Sequence, residues 1–171
     1  MSQHRDLGTI ERSADHATLR IERSLNATPD EVWRMLTDPG RLSGWLHAAV
    51  EIEPYPGGAI TLNFNNTETA VHGEITRYEA PSTLEYTWQR ADEAPSLVRF
   101  EIAPDQSGAG AQLRVTHSRL NPAEAGEVGA GWHYHLELLT RQIAGQSTDW
   151  QWPRFEELYA RYAAIIEGET E

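Results

Sequence analysis

The sequence contains no cysteine. This absence excludes disulfides, thiol nucleophiles and thiolate metal sites, and it is compatible with a reducing compartment. No apolar run approaches the ~20 residues that a membrane-spanning helix needs. The polar segment Met1–Asp15 also lacks the apolar stretch of a secretory signal. We therefore expect a cytoplasmic protein without a membrane span.

Clustered positive charge is absent as well. The chain has 14 basic and 26 acidic side chains, which gives a formal net charge of −12. Nucleic acids and anionic membranes are bound through clusters of Lys and Arg. We therefore expect no nucleic-acid partner, and the acidic excess needs no explanation beyond solubility.

The common signatures of catalytic and metal sites are also missing. There is no HExxH pattern, no phosphate-binding glycine loop and no GxSxG turn. The run His133-x-His135-x-Glu137 invites a metal interpretation, but residues two apart on a helix point in divergent directions. His133 and Glu137 alone provide too few ligands. We expect no metal and no cofactor, and we assign no catalytic residue.

What the sequence does contain is a clear order of elements. An alternating strand, Ala17–Leu25, is followed by two short capped helices within Thr28–Leu46. Six further alternating runs fill Val50–His117, and a long helix begins near Asn121. This order predicts an α+β fold in which a curved antiparallel sheet of six to seven strands wraps around a long C-terminal helix. We expect a flexible N-terminal segment, 1–16, and a single domain, 17–167.

The long helix should lie across the sheet over Asn121–Ala144. Its apolar residues share one stripe, consisting of Val128, Trp132, Leu136, Leu139 and Ile143. Ala125 and Gly129 lie on the same side, where their small size predicts free volume beside the sheet. The residues after Gly145 form either a separate helix starting at Pro153 or the continuation of a broken one.

That free volume is the predicted site. Five residues are expected to line it as ligand-binding residues: Phe64, Trp88, His117, Trp132 and His135. Aromatic walls suit an apolar or aromatic ligand, and the two histidines could orient a polar group. The alternative is that the aromatic rings simply fill the core and that each histidine is a core residue satisfied by a hydrogen bond.

Several segments together resemble a known family. They are Pro56-Gly57-Gly58, His72-Gly73-Glu74-Ile75, the run from Ala80 to Trp88, the run from Leu113 to Ser118, and the run from Gly131 to Leu136. Over Ala17 to Ile166 the chain resembles the Aha-type branch of the SRPBCC superfamily, which is related to START lipid-binding domains and pollen-allergen-like proteins. The resemblance implies a helix-grip fold.

Together, the residues and the resemblance leave three functions open. The first is binding of a small apolar or aromatic molecule between sheet and helix, as in the lipid and hormone binders. The second is a chaperone-interaction module acting in the stress response, because the branch is named for activators of a heat-shock chaperone ATPase. The third is a cofactor-independent cyclase or hydrolase that uses His117 or His135 as general acid or base.

The sequence lacks two features found in members of the family, and these differences decide which of the three functions we favour. The eukaryotic chaperone activators have an additional N-terminal domain, for which 171 residues leave no room. The iron and Rieske motifs of the hydroxylase subunits are absent too. We therefore favour ligand binding over catalysis and over a chaperone or other protein partner, in a monomer or a homodimer.

Overall fold

An eight-stranded antiparallel sheet forms one layer of the protein. The computed structural model describes residues 6–65 and 69–169. The strands are β1 Thr9–Arg12, β2 Ala17–Leu25, β3 Ala48–Ile52, β4 Ala59–Phe64, β5 Val71–Glu79, β6 Thr83–Arg90, β7 Ser96–Pro104 and β8 Ala111–Leu120. Their order in the sheet is β1-β2-β8-β7-β6-β5-β4-β3.

The described residues also form four α-helices. They are α1 Pro29–Thr37, α2 Pro39–Leu46, α3 Ala125–Ile143 and α4 Trp152–Glu169, and a single 3-10 turn, Pro122–Glu124, leads into α3. The capping box predicted at Thr28 and Glu31 is present at the start of α1. In the described part of the chain, no helix combines the length and the hydrophobicity that crossing a membrane would require.

The strand count is the point at which the sequence-based prediction was slightly wrong. The strand that was not predicted, β1, pairs with β2 through registers such as Ile10 opposite Leu19. It lies within the segment 1–16, of which residues 1–5 are outside the described residues. A four-residue strand with one apolar side chain, Ile10, has no alternation to detect, and its pairing depends on the free edge of β2.

The long helix lies as predicted, with its apolar stripe against the sheet. Trp132 and Leu136 are buried, and the Trp132 ring packs edge-on to Phe100 of β7 at a centroid distance of 5.6 Å. The C-terminal segment is a separate helix, α4, which packs on the other side of α3. Its buried residues Leu158 and Tyr162 complete the core.

Gly126 and Gly129 of α3 face α4 and not a free volume, so the prediction of free volume beside Gly129 was wrong. A Cβ atom on Gly129 would lie 2.8 Å from Cδ1 of Tyr162, and one on Gly126 would lie 2.9 Å from Cδ1 of Ile166. Ala125 is fully buried. The missing side chains therefore allow α3 and α4 to approach each other closely, which a helical wheel of α3 alone cannot reveal.

Gly129→Leu is accordingly expected to destabilise the protein. The added side chain would push against the Tyr162 ring and separate the two helices, at a cost of about 1–3 kcal/mol. Urea unfolding measures the loss. Gly131→Leu is the matched control, because a Cβ atom at Gly131 meets nothing within 4 Å. Equal stability of the two variants would contradict this assignment of the helix faces.

Candidate functional site

A cavity of about 720 Å³ opens between the sheet, α3 and the start of α4. All five of the predicted site residues lie in its wall: Phe64, Trp88, His117, Trp132 and His135. The sheet contributes the first three and α3 the other two. Neither Ala125 nor Gly129 lines the cavity, whereas Gly131 does. The structure thus brings the five residues together, and their role in binding a ligand stays a prediction.

Strand register places the residues of the cavity floor. Trp88 of β6 pairs with Ser96 of β7, and His117 of β8 pairs with Val98 of β7. His117 has the same parity as the buried residues Leu113 and Val115. Because side chains alternate between the two faces of a strand, His117 points into the protein.

Aromatic rings form most of the inner wall. The centroid of Trp88 lies 5.6 Å from that of Trp132 and 5.9 Å from that of Phe64, and Phe64 lies 6.0 Å from His135. Such tilted and edge-to-face arrangements are the ones that aromatic rings prefer. The inner part of the wall is therefore aromatic and packed, and its polar atoms are carried by the histidines, Ser96 and the indole groups.

A chain of hydrogen bonds fixes the tautomer of the neutral His117 ring. The indole Nε1–H of Trp132 donates to Nδ1 of His117 over 3.0 Å. Since Nδ1 accepts, the proton of the neutral ring is on Nε2, which donates to Oγ of Ser96 over 2.7 Å. The Ser96 hydroxyl in turn donates to the carbonyl oxygen of Trp88 over 3.1 Å. Burial, with a smaller effect of the Arg90 charge, lowers the pKa of His117 to about 3.

This arrangement argues against His117 as a general base. A serine nucleophile needs a histidine whose Nε2 can accept its proton, yet Nε2 of His117 already carries one and donates it to Ser96. A pKa of about 3 is also far from the operating range of a general base. His117 thus makes the hydrogen bonds that the core-histidine alternative requires, and its role in binding a ligand stays a prediction.

His135 has a different environment. Its Nδ1 lies 3.0 Å from the carbonyl oxygen of Trp45, to which it donates. Burial lowers the pKa of His135 to about 4, with the bond to Trp45 opposing the shift. The ring is neutral at pH 7, and its Nε2 is free to accept a hydrogen bond.

Trp150, in the loop between α3 and α4, closes the wall beside His135. The two ring centroids are 5.4 Å apart. The loop is held by His47, whose Nε2 donates to the carbonyl oxygen of Thr148, and by the amide of Gln151, which donates to the hydroxyl of Tyr134 over 2.7 Å. The backbone is thus anchored on both sides of Trp150, whose ring packs on Tyr134 at a centroid distance of 4.5 Å.

The rim of the cavity is charged. It carries four carboxylates and two guanidinium groups, on Asp15, Glu93, Glu124, Glu127, Arg90 and Arg119. All six side chains are exposed. Arg119 has a φ of 59°, in the left-handed region, where β8 ends at the rim.

Among the residues of this wall that sequence reasoning missed are Ser96, Gly131 and Trp150. Ser96 has the same parity as the apolar residues Val98 and Phe100. The alternation along β7 could therefore have predicted that its side chain points inwards. Gly131 is flagged only by being one of several glycines on α3. Trp150 precedes α4 in a loop, and nothing in the local pattern predicts that it reaches the cavity.

His133 lies on the opposite side of α3 from His135. It is buried, and its Nδ1 is 2.9 Å from the hydroxyl of Tyr162, which also accepts from the amide of Gly8 over 2.8 Å. The two histidines therefore diverge, as their spacing predicts. Within the described ranges, no group of three or more His, Asp or Glu side chains could hold a metal ion.

Solved structures support the fold assignment. CalU16 from Micromonospora echinospora is 24% identical with a TM-score of 0.75, covering 93% of this chain and 96% of that one. The BPP1335 protein from Bordetella parapertussis is 29% identical with a TM-score of 0.70, covering 90% and 87%. EF2215 from Enterococcus faecalis, described as a conserved protein of unknown function, is 19% identical with a TM-score of 0.74, covering 94% and 91%. No curated protein matches the chain.

The sequence also matches a protein family directly. Residues 26–144 match the family described as "Activator of Hsp90 ATPase homolog 1-like protein". This match covers the two short helices, strands β3 to β8 and the whole of α3. The resemblance to the Aha-type branch of the SRPBCC superfamily is thereby confirmed, and the chain belongs to the family of Activator of Hsp90 ATPase homolog 1-like proteins.

Proposed function

We propose that the protein binds a small apolar or aromatic molecule in the cavity between the sheet and α3. The observation that carries the proposal is the cavity itself: about 720 Å³, with aromatic side chains forming its inner wall. Small-molecule sites are usually preformed, mostly apolar and of roughly 300–1,000 Å³. A protein that used this fold only as an interaction module would have no need to keep such a volume unfilled.

Binding is favoured over catalysis by the state of the two histidines. Both nitrogens of His117 are engaged by Trp132 and Ser96. His135 has one free nitrogen, but its pKa of about 4 makes it a weak base at neutral pH. The polar groups of the cavity are therefore suited to orient a ligand and poorly suited to transfer protons.

Gly131→Phe is expected to weaken binding of neutral two-ring aromatic compounds at least tenfold. Gly131 lines the cavity, and a side chain built there meets open space, so the phenyl ring would occupy volume that the ligand needs. Titration calorimetry with naphthalene and its 2-substituted derivatives measures the affinity, and each bound compound should raise the melting temperature of the wild type.

Gly131→Ala is the matched control for this experiment. It shares the gain in helix propensity over glycine but adds only one methyl group. It should bind these compounds nearly as tightly as the wild type. Full affinity in a folded Gly131→Phe protein would exclude the cavity as the site. Native mass spectrometry of the protein purified from its own host would identify the natural ligand.

A second candidate function, docking of a protein such as a chaperone, rests on the surface of α4. Trp152 and Tyr159 are 50% and 48% exposed, and Phe155 lies between them with centroid distances of 5.9 and 6.3 Å. An exposed aromatic row of this kind is typical of interaction sites. Loss of binding to a purified Hsp90-type chaperone in a Trp152→Ala/Tyr159→Ala variant would favour this function, and no binding by the wild type would reject it.

A further inference from the structure

His135 offers the cavity a hydrogen-bond acceptor. Its Nδ1 donates to the carbonyl oxygen of Trp45, so the lone pair of the neutral ring is on Nε2. No group in residues 6–65 and 69–169 donates to this nitrogen, and it is not among the buried polar atoms that lack a partner. Nε2 is therefore open to the cavity and can accept a hydrogen bond from a ligand.

Trp150 carries, in the same cavity wall, a donor without a partner among the described residues. Its indole Nε1–H is buried and has no hydrogen-bond partner in the part of the chain that the structure describes. A buried donor without an acceptor costs about 1–3 kcal/mol. The Trp150 and His135 rings lie 5.4 Å apart in the same wall. In this structure the N–H is closed off from the cavity, so a ligand oxygen can accept from it only after the Trp150 side chain has turned. A ligand atom that both donates and accepts would then satisfy both rings.

The other polar groups of the inner wall are already satisfied. His117 uses both of its nitrogens, and the Ser96 hydroxyl accepts from His117 and donates to the carbonyl oxygen of Trp88. A polar ligand atom therefore gains little on the His117 side of the cavity. The unused hydrogen-bonding capacity lies beside His135 and Trp150.

The charges at the rim determine the kind of polar atom. Four carboxylates and two guanidinium groups leave the rim net negative, and the whole chain has a net charge of −12. An anionic ligand would enter against this field. A hydroxyl group avoids that repulsion, because it is neutral and both donates and accepts.

We infer that the cavity selects a neutral aromatic compound bearing a hydroxyl group, whose O–H donates to His135 Nε2 and whose oxygen accepts from Trp150 Nε1. This inference rests on the proposed binding function. It adds the chemical class of the ligand and its orientation, with the hydroxyl towards the loop between α3 and α4 and the ring among Phe64, Trp88 and Trp132.

Three probes of nearly equal size separate the two hydrogen bonds. Naphthalene has no oxygen, 2-methoxynaphthalene can only accept, and 2-naphthol both donates and accepts. Two new hydrogen bonds predict that 2-naphthol binds the wild type about tenfold more tightly than naphthalene, with 2-methoxynaphthalene between them. The carboxylate 2-naphthoate should bind more weakly than 2-naphthol. Titration calorimetry at neutral pH measures all four affinities.

Two variants assign the bonds to their residues. His135→Phe removes the acceptor, so the advantage of 2-naphthol over 2-methoxynaphthalene should disappear. Trp150→Phe removes a donor that has no partner in the described chain, so the fold should be retained. Relative to naphthalene, this variant should bind both oxygen-containing probes more weakly than the wild type does.

The outcomes distinguish this inference from the binding function beneath it. If Gly131→Phe weakens all the neutral probes but the wild type binds the three equally, the cavity is the site and the hydroxyl inference is overturned. A preference for 2-naphthol that survives in both His135→Phe and Trp150→Phe also overturns it. If no probe binds the wild type, the proposed function fails, and the inference fails with it.

Discussion

Replacing Trp132 with alanine is expected to lower the free energy of unfolding by about 3–5 kcal/mol. The side chain is only 4% exposed, and its ring contacts Trp88 and Phe100, both at a centroid distance of 5.6 Å. Its removal would leave a void between α3 and the sheet. It would also remove the donor to Nδ1 of His117. Urea unfolding monitored by far-UV circular dichroism measures the change.

Trp132→Phe separates the two contributions. The phenyl ring keeps most of the apolar contact but cannot donate, so the lone pair on His117 Nδ1 is left unsatisfied at a cost of about 1–3 kcal/mol. The phenylalanine variant should therefore be intermediate in stability. If Trp132→Ala is as stable as the wild type, this face of α3 is not part of the hydrophobic core.

Acidification is expected to destabilise the protein by about 4 kcal/mol between pH 7.5 and pH 5 through two histidines. An unfolded histidine has a pKa near 6.5, whereas the folded pKa is about 3 for His117 and about 4 for His135. As the pH falls below 6.5, the unfolded chain takes up protons that the native protein does not bind. Each histidine therefore contributes a loss of about 2 kcal/mol over this range.

The pH range of this loss follows from the same values. The contribution of the two histidines to the free energy of unfolding is highest above pH 6.5 and decreases as the pH falls. It stops changing below the folded pKa values of about 3 and 4. The range from pH 7.5 to 5 precedes most carboxylate titration. Urea unfolding at several pH values within it measures the loss.

His117→Gln is the control for this prediction. A glutamine amide can accept from Trp132 and donate to Ser96 in place of the imidazole, but it does not titrate. The difference in stability between wild type and variant should therefore shrink or reverse by about 2 kcal/mol as the pH falls from 7.5 to 5. Parallel pH profiles would show that His117 is protonated at its ordinary pKa and is not held in the described network.

Much of the candidate site could be predicted from strand and helix periods. His117 follows Leu113 and Val115 with period two, and Trp132 lies on the apolar stripe of α3. Both side chains are buried, as these periods predict. Such periods are local properties of one element, so they can be recognised in a single sequence. The existence of five lining residues was therefore predictable, although their use by a ligand remains to be tested.

Contacts between elements were not predictable in the same way. The face on which Gly129 lies was recognised, but its neighbour is Tyr162, 33 positions further along the chain. The roles of Ser96 and Trp150 also arise from partners on other elements. The same is true of the proton on His117, which depends on an indole group that α3 brings to β8.

By itself, the sequence determined the order of the elements from β2 onwards, the inward face of the alternating strands, the apolar stripe of α3, the capped starts of the short helices and the family. Each of these depends on residue type and short-range spacing. Only the tertiary structure decided that α3 has one face for the sheet and another for α4, that the cavity opens at Gly131 and not at Gly129, and which nitrogen of each histidine is free. These features depend on distances between residues far apart in the chain. Free volume and unpaired hydrogen-bonding groups are what remains after every element has packed, so they belong to the assembled fold and to no single segment.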